Sequence, residues 1–132
     1  MRSGAGPIGA SSGIALALLA WTAFAAPAPR SPQQTEIVLR LAETLGRTHA
    51  LRQVCQGDEN GSWYDRMQTL LRLEAPEGLN GAADLRRRLV ERFNVGFNDE
   101  KAKFADCGRE TQVEAQRLSE AGRADAALLS AP

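Results

Sequence analysis

Cys55, Cys107, His49 and a scatter of carboxylates are the residues of this 132-residue chain whose types could do chemistry beyond packing. Two cysteines permit a disulfide, a redox couple, an intermolecular bridge or a thiolate metal site. The two lie 52 positions apart, whereas a redox couple usually sits as Cys-x-x-Cys, and a zinc site needs four ligands where the chain offers one His to help. In an oxidising compartment the pair therefore reads first as a structural bridge. Closing a loop of about 53 residues would contribute roughly 4 kcal/mol in a chain-entropy account.

His49 lacks the setting of a catalytic base. No G-x-S-x-G surrounds any Ser of residues 26–132, and Cys55 is expected to be oxidised, so His49 reads as a solvent-facing helix residue. Asp58/Glu59 and Asp99/Glu100 are carboxylate pairs of the kind a hydrolase uses, yet loop charge and helix capping account for them. Residues 26–132 hold no P-loop, glycine fingerprint, HExxH or EF-hand loop, so neither a cofactor nor a metal is implied. Arg86, Arg87, Arg88 and Arg92 suggest an anionic partner. Asp84–Arg88 and Arg87–Glu91, as i,i+4 pairs, would neutralise that run into a solvated face. With 16 basic and 16 acidic residues, the chain lacks the cationic field of a general nucleic-acid binder.

The elements that must position these residues begin after an apolar start. Ile14 to Ala25 is an uncharged run that ends in the small-x-small triplet Ala23-Phe24-Ala25 and falls short of the roughly 20 residues that span a bilayer. Residues 1–25 read as a signal peptide cleaved between Ala25 and Ala26, with an uncleaved N-terminal anchor as the alternative. Cleavage would place the protein in the periplasm, with no stable membrane span, and would leave 107 residues with 42 hydrophobic side chains, 15 of them Ala. So thin a core makes a bridge valuable. Pro27, Pro29 and Pro32 make 26–34 an extended tether.

Helical periodicity then takes over. Ile37, Val38, Leu41, Leu45, Leu51 and Cys55 predict a helix over 35–56, with Thr35 as N-cap and Gly57 as stop. Ser62 with Asp65 resembles a capping box opening a second helix over 63–74, striped by Trp63, Met67, Leu70 and Leu71. From Ala82, residues Leu85, Leu89, Val90, Phe93, Phe97, Phe104 and Cys107 share a face of one long helix. A break near Gly96 to Asn98 is the alternative. A weaker helix over 110–121 carries Val113 and Leu118 and stops at Gly122, leaving an Ala-rich tail at 123–132. No period-two run is long enough for a strand. The expected fold is all-α: three to four helices in a domain spanning 35–122, clamped by one disulfide.

Three positions conflict with greasy helix faces. Arg52 and Glu74 project onto apolar stripes, so they pair with each other, meet other opposite charges, or reach water from the helix ends. Gly96 in mid-helix costs about 1 kcal/mol relative to Ala. Either it admits a close neighbour, such as another helix or the Trp63 ring, or it marks the break. Asn94 is a poor mid-helix residue that needs partners if buried.

The order Leu51-Arg52-x-x-Cys55-x-Gly57, Trp63, Arg66-Met67, Leu70-Leu71-x-x-Glu74, Leu89-x-x-x-Phe93-Asn94-x-Gly96-Phe97 and Phe104-x-x-Cys107 resembles an uncharacterised family of small exported two-cysteine helical proteins of alphaproteobacteria, a domain of unknown function. The resemblance implies location and architecture only. Where that pattern more often has Tyr, this chain has Phe97 and Phe104, which removes any role for phenolic hydrogen bonds there. Two functions stand as expectations. One is a non-enzymatic module that binds an envelope protein or component through a helix face. The other is a small envelope hydrolase or ligand-binding protein with a polar site formed by Arg52, Glu74 and Asn94.

Overall fold

The computed structural model describes residues 29–57 and 61–131; the expected signal segment and its cleavage point at Ala25 and Ala26 lie outside them. Four helices form, α1 (Pro32–Gln56), α2 (Ser62–Glu74), α3 (Ala82–Lys103) and α4 (Arg109–Ser130), with no strand among the described residues. Cys55 and Cys107 are joined, with Cα atoms 4.8 Å apart. The all-α, disulfide-clamped bundle expected from the sequence is the observed fold.

The first helix starts three residues before Thr35. The reason is a capping box at Ser31: the Gln34 amide donates to Ser31 Oγ at 3.1 Å, and the Ser31 amide donates to Gln34 Oε1 at 3.0 Å. Pro32 is compatible because a first-turn N–H has no intrahelical partner to lose. The helix ends at Gly57, whose φ of 84° is open to a residue without a Cβ.

α1 is the one helix packed against all three others. Its buried residues therefore run around it: Leu39, Ala42, Gly46 and His49 are covered as well as Ile37, Val38 and Leu51, while Leu41 and Leu45 of the expected stripe are half-buried. The apolar core joins Val38, Leu39 and Ala42 to Met67 and Leu71 of α2 and to Leu89 and Phe93 of α3.

α3 is continuous through Gly96, so the break is not present, but it ends at Lys103 and leaves Cys107 beyond it. Gly96 admits a neighbouring helix, and that neighbour is α1 rather than the Trp63 ring. A Cβ on Gly96 would fall on the Glu43 carbonyl oxygen, and a Cβ on Gly46 would fall on the Phe93 carbonyl oxygen. Two glycines, one per helix, thus let the backbones touch.

α4 passes Gly122 and continues to Ser130, which corrects the expected stop and makes most of the Ala-rich tail helical. Gly122 lies against Thr44 and Leu41 of α1, where packing offsets its poor helix propensity. Val113 points to solvent at 62% exposure. The buried positions are Thr111, Leu118 and Asp125, a seven-residue spacing with only one large apolar side chain.

Candidate functional site

Of the residues singled out from the sequence, Arg52, Glu74 and Asn94 are not brought together. Arg52 is exposed near the end of α1, its guanidinium 6.0 Å from the Trp63 ring centroid, with Arg66 at 4.5 Å from the same ring. Glu74 accepts from Arg30 Nε at 3.0 Å and from Arg30 Nη2 at 2.9 Å, a two-pronged bond that meets the expectation of an opposite charge with a partner other than Arg52. Arg30 also donates to the Leu129 carbonyl at 3.2 Å, linking the end of α2 to the end of α4. Asn94 is exposed on α3, so it faces no burial penalty.

His49 is buried rather than solvent-facing. It lies in the α1–α3 seam with ring centroids 5.9 Å from Phe93 and 5.4 Å from Phe97, and its Nε2 is 3.2 Å from the Gln53 amide nitrogen. Burial lowers its pKa, which keeps the ring neutral at pH 7. The missed signal is its place in the series Leu39, Ala42, Gly46, His49, spaced three, four and three along α1.

Glu100, expected as loop or capping charge, has a fully buried side chain. Arg47 of α1 donates to it from Nη1 at 2.6 Å and to Glu43 from Nη2 at 2.8 Å, with Asp99 at 3.5 Å. Burial alone would lower the Arg47 pKa; the hydrogen bonds to Glu43 and Glu100 outweigh it and raise the value. The bond from Arg47 likewise holds the Glu43 carboxyl below the usual carboxylate range. This arrangement is a structural ion-pair hub. Its sequence signal was the spacing Leu89, Phe93, Gly96, Glu100, in which the last member continues a core stripe.

The basic run of α3 is satisfied locally. Arg87 bonds to Asp84 at 2.6 Å, Arg86 reaches the Ala75 carbonyl at 3.3 Å, and Arg88 crosses to Glu36 of α1 at 3.1 Å in place of the expected Asp84 pairing. Arg92 donates to Glu43 at 3.2 Å.

One open groove collects residues of the sequence reading. It lies between the end of α1 and the start of α4, has a volume of about 370 Å³, and is floored by Leu51 and the Cys55–Cys107 bridge. Arg52 forms the α1 side; Gln112, Gln116 and Ser119 form the α4 side. Both half-cystines are solvent-exposed. Amide, hydroxyl and guanidinium groups around an apolar floor suit the recognition of a polar chain or side chain, and they supply no general base.

Among the described residues there is no group of three or more His, Cys, Asp or Glu side chains arranged to hold a metal, and no helix long and apolar enough to cross a membrane. The model of a family described as protein of unknown function (DUF2385) matches residues 33–131. No curated protein and no solved structure matches the chain.

Proposed function

The chain belongs to the DUF2385 family of proteins of unknown function, and from that premise we propose that it is an exported, non-enzymatic interaction module of the cell envelope. The observation that carries this reading is where the polar groups are used. His49, Arg47, Glu43, Glu74 and Glu100 are all engaged in structural contacts, whereas the groove beside the bridge is open and edged by donors and acceptors. An envelope partner seated in that groove would touch α1 and α4 together. Export is supported by the apolar run Ile14 to Ala25 with its small-x-small end and by a disulfide in so small a domain. The polar-site alternative gains no support, since Arg52, Glu74 and Asn94 stand on separate surfaces.

Two measurements test the reading. Fractionation should find the protein in the periplasm with Ala26 as its first residue; recovery of unprocessed chain in the membrane would favour the anchor alternative. Affinity capture from periplasmic extract without reductant should retain a species that is lost with the groove variant Gln116→Arg. Recovery of the protein alone, or a species held equally by the variant, would contradict the groove.

A further inference from the structure

A bridge that only staples a core is best kept from solvent, yet Cys55 and Cys107 are both exposed and both face the α1–α4 groove. An incoming thiolate has an open approach to them. The two sulfurs also sit in opposite local fields. Cys55 is the next-to-last residue of α1, whose last turn carries no basic residue, so the partial negative charge of the helix end disfavours a thiolate there. Cys107 precedes α4 by one residue, Gly108, which brings no capping side chain to that helix's first N–H groups. Their partial positive charge favours a thiolate at Cys107. Asp106 and the first-turn Glu110 place carboxylates at the same end and offset part of this field.

We propose that Cys55–Cys107 is a thiol–disulfide exchange site, with Cys55 Sγ as the atom attacked, Cys107 as the leaving thiolate, and a protein dithiol of the Cys-x-x-Cys class as its substrate. A thiolate of the dithiol forms a bond to Cys55 Sγ as the Cys55–Cys107 bond breaks. The electron pair goes to Cys107 Sγ, which then takes a proton. The second thiol of the partner, deprotonated, attacks the mixed disulfide and expels Cys55 as thiolate, which is protonated in turn. Two electrons have passed: the bridge is reduced to two thiols and the dithiol is oxidised to a disulfide. An oxidised partner runs the same steps in reverse. Arg52, one turn before Cys55 on the groove wall, attracts the anionic nucleophile and offsets part of the helix-end field at Cys55. Only the partner's compartment rests on the export reading; the exchange and its polarity do not.

The test uses the purified oxidised protein and a Cys-x-x-Cys protein whose second cysteine is replaced by Ser, so that the mixed disulfide is trapped. After quenching by alkylation, peptide mapping should find the adduct on Cys55 over Cys107 by about threefold or more, because the lower-pKa thiol leaves faster. An equal split or an excess on Cys107 would overturn the polarity. Reduction by dithiothreitol should be within about tenfold of the rate for the same protein denatured in guanidinium, as expected of an accessible bridge. A slowing of about a thousandfold would identify a sealed staple and overturn the site. Asp106→Asn removes one opposing carboxylate and should raise both the Cys55 preference and the native rate; no change in either would contradict the field argument. These outcomes stand whatever the capture experiment recovers.

Discussion

Where α3 crosses α1, the backbones meet at Gly46 and Gly96, Leu89 and Phe93 fill the flanks, and Arg47 reaches the buried Glu100. Where α4 crosses the same helix, Leu118 is the one large apolar side chain that α4 buries; Thr111 and Asp125 complete its buried face, the disulfide ties one end, and Arg40 bonds to Asp125 at 2.6 Å near the other. The first seam combines close backbone packing with a buried ion pair. The second is a set of discrete bonds. The difference teaches that one small bundle can hold a fixed pair of helices and a third helix whose attachment depends on bonds that chemistry can break.

The largest effect should come from the hub of the first seam. Arg47→Met leaves the buried Glu100 with only the exposed Lys103, 3.9 Å away, as a cation and should lower global stability by about 3–5 kcal/mol, read by denaturant unfolding. Adding Glu100→Leu should recover most of that loss; a double variant as unstable as Arg47→Met alone would mean that the pair does more than neutralise itself. Next come the glycines. Gly46→Ala and Gly96→Ala each place a Cβ on a facing carbonyl, and each should destabilise by about 3 kcal/mol despite a gain in helix propensity of about 1 kcal/mol. An unchanged or raised melting temperature would remove the close contact from the account.

In the second seam the individual polar contacts are weaker. Asp125→Asn removes the charge that faces Arg40, whose side chain is half exposed, and should lower stability by about 1 kcal/mol or less. Loss of protection should concentrate in α4. A global loss as large as that of the glycine variants would erase the contrast between the seams.

The smallest effect is a pH slope. Burial lowers the folded pKa of His49 below its unfolded value of about 6.5, so as pH falls past 6.5 the unfolded chain takes up a proton that the folded chain refuses. The stability present above about pH 6.5 is lost on acidification toward the folded value. His49→Phe keeps a ring between Phe93 and Phe97 and should flatten that slope. Glu43 is held down by its bond to Arg47 and Glu114 by its bond to Arg117, so a second decline belongs below about pH 4.3, where the unfolded carboxylates protonate first.

Much of this molecule was legible in its sequence. Helical segments and the Cys55–Cys107 pairing follow from periodicity and cysteine arithmetic, and the cost of a mid-helix glycine singles out Gly96, though it leaves a close approach and a helix break as alternatives. The surroundings of α1 were not legible, because a one-stripe reading assumes one covered face and this helix has three neighbours. His49 and Gly46 fell outside the stripe for that reason. Glu100 was passed over because a carboxylate on a core position reads as charge before it reads as spacing. The end of α4 was misplaced because Gly122 is a stop only when nothing packs against it, and Leu41 and Thr44 do. Arg52, Glu74 and Asn94 stood out by projection, and each found a separate local solution.

Hydrogen exchange on the oxidised and reduced protein tests the contrast between the seams most directly. Reduction of Cys55–Cys107 should strip protection from amides of α4, from Arg109 to Ser130, while α1 and α3 around Gly46 and Gly96 keep theirs. Uniform loss across all four helices, or an α4 as protected after reduction as before it, would contradict the account.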